Sequence, residues 1–241
     1  MSRCELTHVQ RAPIDLARAR AQHEAYVAAL EECDVTVTRL DAPADQPDAV
    51  FIEDTAVVLP EIAVLARPGA ASRRGEVEAV AAALTPWRCT IAIESPATLD
   101  GGDVLVIGHR VYVGRTGRTN GAGVAQLASA LAPFGYAVTP VVVSGCLHLK
   151  SAATMAAPGT LVLNPAWVDG AVFAGLDLIA VHPDEPWAAN VLALGDVVLH
   201  AATGARTAER VAALGVRPLA LDISELAKAE GGMTCCSLLI A

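Results

Sequence analysis

A strand-strand-helix-strand unit recurs about five times along these 241 residues, and no other feature restricts the fold as much. Apolar residues at three- and four-residue steps mark helices beginning near residues 14, 73, 119, 167 and 207. The first, over 14–32, carries Leu16, Ala19, Tyr26, Val27 and Leu30 on one side, and a strand is expected after it at 35–40. Strands at 55–59 and 62–66, a helix at 73–84 and a strand at 90–94 form the next unit. Strands at 104–107 and 110–113 flank Gly108-His109, a hairpin signal, and lead to a helix at 119–131 and a strand at 137–143. The pattern returns with strands at 152–155, 160–163 and 176–180 around a short helix at 167–173. It returns once more with strands at 191–194, 196–199 and 218–221 around a helix at 207–214. A helical turn at 224–228 and a final strand at 236–240 close the chain. Hairpin-paired strands exclude a Rossmann arrangement, whose parallel strands need long crossovers. Five such units, closed into a ring with the helices outside, would direct loops distant in sequence to one central cavity.

Composition narrows the chemistry. Hydrophobic residues make up 54% of the chain and aromatics only 4%, so the core is aliphatic. The formal charge of −9 argues against nucleic acid or an anionic membrane as partner and is compatible with a cationic small molecule. No apolar run approaches the ~20 residues that span a bilayer. Six scattered cysteines match no zinc framework, and with no signal peptide visible the expected compartment is the cytoplasm.

Four stretches carry candidate chemistry. Asp48 to Thr55 gathers Asp48, Glu53 and Asp54 around Phe51 and Ile52, as a solvated loop would, or as a carboxylate cluster that takes a planar guanidinium. Asp100-Gly101-Gly102-Asp103 reads as a turn, or as a carboxylate brought close to a ligand; it lacks the spacing of a phosphate loop. His148, between Leu147 and Leu149, is either a satisfied core residue or a general acid/base. Gly231-Gly232-Met233-Thr234-Cys235-Cys236 delivers two thiols from a glycine turn, either as inert small hydrophobes or with one as nucleophile. Arg73 and Arg118 stand at helix entrances, where the macrodipole disfavours cations, so each is expected to have an anionic partner.

Together these segments resemble the dimethylarginine dimethylaminohydrolase family of the pentein superfamily. The resemblance rests on Phe-Ile-Glu-Asp-Thr-Ala-Val-Val at 51–58, Arg-Pro-Gly-Ala-Ala-Ser-Arg-Arg at 67–74 and Thr-Leu-Asp-Gly-Gly-Asp-Val-Leu at 98–105. It continues in Arg-Thr-Asn at 118–120, Leu-His-Leu-Lys-Ser at 147–151 and Gly-Gly-Met-Thr-Cys-Cys-Ser-Leu-Leu-Ile at 231–240, in family order over nearly the whole chain. It implies an α/β fold, a five-bladed α/β propeller in one catalytic domain spanning 1–241. It implies hydrolysis of Nω-methylated arginine to citrulline and an amine. Cys235 is then the nucleophile, His148 the general acid/base and Asp100 its acidic partner, which also holds the guanidino group. Asp54 is the other guanidinium-binding carboxylate, and Glu53 and Asp48 line the pocket. Arg73 and Arg118 hold the substrate α-carboxylate, and Leu6, on a mobile lid, meets the α-amine. The resemblance also places Phe51, Ser151, Ala229 and Glu230 in the substrate site. No cofactor and no metal is implied, although a metal could bind Cys235 and His148 adventitiously. The partner is a small guanidino amino acid, and homodimerisation is left open.

The sequence departs from the family at two places. Relatives carry a strand ahead of the lid, whereas this sequence opens almost at the lid, so its first blade is expected to lack that strand. Ala229-Glu230 stands where some relatives have Val-Asp. The alternatives are an arginine or citrulline hydrolase or an amidinotransferase of the same superfamily, a non-catalytic pentein, and a thiol redox sensor built on Cys235-Cys236. The last is disfavoured because a disulfide between adjacent residues is strained.

Overall fold

The computed structural model describes Met1 and residues 3–240. In chain order the elements are α1 (Leu16–Glu31), β1 (Ala56–Val58), β2 (Ile62–Leu65), α2 (Val77–Leu84), β3 (Cys89–Ala92), β4 (Val104–Ile107), β5 (Arg110–Arg115), α3 (Gly121–Leu131) and β6 (Ala137–Val142). They continue with α4 (Leu149–Ala152), β7 (Ala153–Ala157), β8 (Thr160–Leu163), β9 (Asp177–Ala180), β10 (Leu192–Leu194), β11 (Val197–Ala201), α5 (Ala205–Ala212), β12 (Arg217–Leu221) and α6 (Ser224–Ala227). Four three-stranded sheets result, β1-β2-β3, β4-β5-β6, β7-β8-β9 and β10-β11-β12. In each, the first two strands pair antiparallel as a hairpin and the third returns parallel to the second. In three sheets a helix makes the crossover; between β8 and β9 it is only a 3-10 turn, Gly170–Phe173.

The chain forms two compact units, one of Met1–Arg39 with Lys150–Thr234 and one of Leu40–Leu149 with Cys235–Ala241. In the second, β2 is buried on both faces. Ile62 and Val64 join Val57, Leu99, Val104, Val111, Val113, Leu127 and Leu131 in one aliphatic core, while Ala63 faces Ala56, Val80 and Leu84 in another. The period-two alternation of a strand places these sets on opposite sides. In the first unit, Val162, Val181, Ala189, Val191, Val198 and Val211 form the core of the last two sheets. There α1 is capped by the Asp15 carboxylate, which accepts from the Ala17 and Arg18 amides. Its buried Gln22 donates to Ser224 Oγ (2.9 Å) and accepts from the Glu225 amide (2.9 Å), so α1 and α6 are joined by polar as well as apolar contacts.

Three local expectations are corrected. Residues 35–40 are irregular rather than a strand, and no strand among the described residues pairs with them. Residues 236–240 are likewise outside any strand; Leu238 packs against the Ala56–Leu84 core without joining a ladder. The strand expected from residue 55 begins at Ala56: residues 48–50 turn and Ile52–Thr55 is a 3-10 helix, fastened by Thr55 Oγ1 donating to the Ile52 carbonyl (2.7 Å). No helix among the described residues is long and apolar enough to cross a membrane.

Candidate active site

The unit of Leu40–Leu149 with Cys235–Ala241 gathers most of the singled-out polar residues. Its centre is His148, buried in the bend just ahead of α4 and held between two buried carboxylates. Nε2 lies 3.0 Å from Asp100 Oδ2, a hydrogen bond, and Nδ1 lies 3.6 Å from Asp54 Oδ1, an ion-pair separation. Burial alone would lower the pKa of this imidazole. Asp54, the Asp100 hydrogen bond and Asp103 outweigh it and raise the value to about 9, so His148 is an imidazolium at neutral pH.

Each carboxylate is held by a different part of the chain. Asp54, in the 3-10 helix Ile52–Thr55, accepts from the Gly102 amide (3.1 Å) and from Arg73 Nη1 (2.5 Å). Burial works against its charge, but His148 and Arg73 hold its pKa below the usual carboxylate value. Asp100 has no exposed surface; Oδ1 accepts from the Gly69 amide (2.8 Å), and its own amide donates to Thr119 Oγ1 (3.1 Å). Gly101-Gly102 is what allows this convergence. A Cβ at Gly102 would stand 2.6 Å from Asp54 Oδ1 and 2.7 Å from His148 Nδ1, and one at Gly101 would stand 2.0 Å from the Glu53 carbonyl.

Cys235 joins the same neighbourhood through its backbone: its carbonyl accepts from the Glu53 amide at 3.1 Å. Its side chain is half-buried, and all six cysteines lie outside disulfides. Cys236 is a different thiol. Desolvation and the nearby charges of Glu53 and Asp54 push its pKa up to about 12. Cys146, donating to the His148 carbonyl (3.4 Å), is also pushed up to about 12, by burial and then Asp103. Both are poor thiolates. Asp54, Asp100 and His148 each offer one ligand atom within 4.8 Å of one another and could hold a divalent cation. A metal would need neutral imidazole, whereas these carboxylates favour the protonated ring.

Arg73 is placed differently from expectation. It is 4% exposed, and its Nε and Nη2 engage Glu76 (3.1 and 2.8 Å). Nη2 also donates to the carbonyls of Phe51 (3.0 Å) and Asp48 (3.4 Å), and Nη1 reaches Asp54. Of five N–H groups, at most one on Nη1 is left for a ligand. Arg73 therefore anchors Asp54 and the 48–51 turn and is not available as a two-pronged carboxylate clamp. Burial opposes its charge, and Asp54 and Glu76 more than offset this, raising its pKa. Arg118 is buried, with its backbone against Gly69 and its amide bonded to Thr116 Oγ1 (3.1 Å). Asp48, Phe51 and Glu53 are buried around Arg73 and Cys235.

Leu6, Ser151, Ala229 and Glu230 belong to the other unit. Leu6 and Ser151 are half-buried, and Ala229 is buried. Glu230 is not oriented as a substrate ligand, because its carboxylate accepts the amides of Thr7 and Val9 (both 2.9 Å) and of His8. It follows α6 with φ 62°, and the next amide, Gly231, returns to the Leu226 carbonyl (3.0 Å). This is the left-handed helix-end position that glycine normally fills. A glutamate there costs about 1 kcal/mol, and it supplies the carboxylate that fastens residues 7–9.

Sequence reasoning assigned no role to Glu76 or to Asp103 itself. Glu76 had a local signal, three residues after Arg73 on one helical face. Asp103 accepts from Thr116 Oγ1 (2.6 Å) and the Leu149 amide (2.9 Å), partners 13 and 46 residues away that no spacing rule reveals. Burial raises its pKa to about 6.

A family model described as N,N dimethylarginine dimethylhydrolase, eukaryotic, matches residues 7–151. The N(G),N(G)-dimethylarginine dimethylaminohydrolase of Streptomyces coelicolor is 43% identical over 97% of this chain and 90% of its own length. The chain belongs to the dimethylarginine dimethylaminohydrolase family. The enzyme of the same name from Pseudomonas aeruginosa is 35% identical over 93% of this chain and 89% of its length. A crystal structure of the Pseudomonas aeruginosa protein, a cysteine-to-serine variant complexed with citrulline, superposes with a TM-score of 0.93 at 34% identity, covering 97% of this chain and 92% of that one. An arginine dihydrolase N-terminal domain from cyanobacteria shares the fold, with a TM-score of 0.88 at 20% identity, covering 95% and 88%.

Two measurements test the site's physics. Because the folded pKa of His148 is raised from 6.5 to about 9, its contribution to stability is complete below pH 6.5 and is lost as pH rises through 9. Denaturant unfolding should show stability falling over that window with a slope approaching ~1.4 kcal/mol per pH unit, and His148→Asn should flatten it; equal slopes would refute the buried imidazolium. Glu230→Gly relieves the left-handed strain but removes the anchor. Amide exchange at Thr7, His8 and Val9 should accelerate at least ~10-fold while global stability holds; unchanged exchange would remove the anchor.

Proposed function

We propose that this chain hydrolyses Nω-methylated L-arginine to L-citrulline and dimethylamine or methylamine, with Cys235 as nucleophile and His148 as general acid and then base. One observation carries the reading: a half-buried cysteine is tied by its carbonyl to the strand-entry turn that bears Glu53 and Asp54, and Asp54 flanks a buried imidazolium oriented by Asp100. Among the relatives, the Pseudomonas aeruginosa protein complexed with citrulline is a cysteine variant, and another dimethylarginine dimethylaminohydrolase forming an adduct with S-methyl-L-thiocitrulline is a histidine variant. Structures of proteins with rival guanidino chemistries, an arginine dihydrolase and an amidinotransferase, match at 20% and 18% identity, which speaks to the fold alone.

The steps follow from the charges. The guanidinium is drawn to the acidic pocket of Asp48, Glu53 and Asp54. Its positive charge favours the Cys235 thiolate, which attacks the guanidino carbon. His148, protonated at rest, gives its Nδ1 proton to the methylated nitrogen, which leaves as the amine. Nε2 stays with Asp100, so Asp100 orients the ring and does not itself hold the guanidino group. An S-alkylthiouronium remains on Cys235. Water attacks it, the now neutral His148 takes the water's proton, and the C–S bond breaks to release citrulline and the thiolate. Cys236, held as a thiol, stands aside. Arg118 takes the α-carboxylate, and the 6–9 segment anchored by Glu230 forms the lid. Four sheets plus α1 and the chain ends compose a five-bladed propeller acting as one catalytic domain. Six reduced cysteines suit a cytoplasmic setting.

Cys235→Ser should abolish citrulline release from asymmetric dimethylarginine without unfolding the protein, while Cys236→Ser should cost less than ~10-fold; an active Cys235→Ser variant rejects the mechanism. Agmatine, which lacks the α-carboxylate, should be a poor substrate for the wild type. Arg118→Ala should raise KM for dimethylarginine by ~10-fold or more and leave agmatine turnover little altered. Equal wild-type use of both compounds rejects the carboxylate contact.

A further inference from the structure

We propose that Asn190 is a positioning residue for Cys235, which rests on Cys235 being the nucleophile. Asn190 lies in the irregular segment before β10 and is 7% exposed. Its amide grips the residue that precedes Cys235: Oδ1 accepts from the Thr234 amide (3.0 Å) and Nδ2 donates to Thr234 Oγ1 (3.0 Å). The second Nδ2 hydrogen donates to the Lys150 carbonyl (2.9 Å), two residues after His148. One side chain thus fixes the backbone adjoining both the thiol and the imidazole.

Two further features show that this contact is built in. Thr154 Oγ1, on β7, donates to the Ala189 carbonyl (2.6 Å) and accepts from the Val191 amide (3.0 Å), bracketing Asn190 on both sides. Gly232 makes the approach possible: a Cβ there would lie 2.4 Å from Asn190 Oδ1 and 2.6 Å from Cγ. The second glycine of the Gly-Gly pair therefore serves close approach. The positive φ of this segment falls on Glu230 instead. Buried, with its amide committed at both ends, Asn190 has no group to offer a substrate. Its effect must reach the reaction through the placement of Cys235, where a misplacement of ~1 Å is enough to cost ~100-fold in rate.

The test is Asn190→Asp, which keeps the shape and the acceptor but removes both donated bonds and sets a carboxylate oxygen against the Lys150 carbonyl. With asymmetric dimethylarginine, kcat should fall ~10- to 100-fold while KM changes less than ~3-fold, and the pH profile of Cys235 alkylation by iodoacetamide should shift. Thr154→Val and Gly232→Ala should cause smaller losses of the same kind. Thr154→Val should add little on an Asn190→Asp background, because both act through one contact. If Asn190→Asp does not fold, these two variants carry the same test. Loss of thermal stability with kcat and the alkylation profile unchanged would overturn the proposal, as would parallel losses explained by the folded fraction. An inactive Cys235→Ser with an unimpaired Asn190→Asp overturns only the positioning role; an active Cys235→Ser overturns the reaction itself.

Discussion

The interaction on which the rest depends is the buried ion relay Arg73–Asp54–His148–Asp100. Four ionisable residues, none more than 4% exposed, lie in one unit of the chain. Moving single charges out of water is costly, and such a group survives only when each charge has a partner and its remaining lone pairs or protons are bonded. Here Glu76 and two carbonyls complete Arg73, Arg73 and the Gly102 amide complete Asp54, and the Gly69 amide completes Asp100. The outcome is an imidazole that carries its proton before the substrate arrives. A general acid for an amine leaving group requires that state, which a histidine in an apolar pocket would not hold.

The same electrostatics separates two adjacent cysteines. Acidic neighbours that suit a cationic substrate also repel a thiolate, and at Cys236 desolvation and those charges keep the proton on sulfur. For Cys235 the proposed remedy is the substrate itself, whose positive charge offsets the carboxylates when it binds. A site of this kind gains reactivity with its ligand present and protects its thiol in its absence. The anchoring of residues 7–9 by Glu230 follows a similar logic, with local backbone strain retained because the side chain has a contact that glycine could not make.

Much of the fold was legible. Strands 104–107 and 160–163 form at the expected residues, each beside a glycine with positive φ, Gly108 and Gly159. The misses share a cause. Residues 35–40 and 236–240 look like strands locally, but a strand requires a partner for its backbone, and pairing is not a local property. At Arg73 the local argument was sound as far as it went: a cation at a helix entrance needs an anion. It was the source of the anion that sequence could not reveal, and the anions are Asp54 and Glu76 rather than a substrate. Glu230 was placed in the substrate site by the family resemblance, yet its carboxylate turns to residues 7–9, more than two hundred positions away.

Sequence by itself determined the repeating hairpin-and-crossover units, the aliphatic core, the acidic character of the chain and the family, because these depend on periodicity, composition and runs of adjacent residues. Only the tertiary structure decided the protonation of His148, the raised pKa of Cys236, the occupation of Arg73 and the grip of Asn190 on Thr234. Each of these depends on burial and on charges or amides contributed by segments distant along the chain. Hydrogen-bond reach is about 3 Å, and which groups come within it is settled by packing.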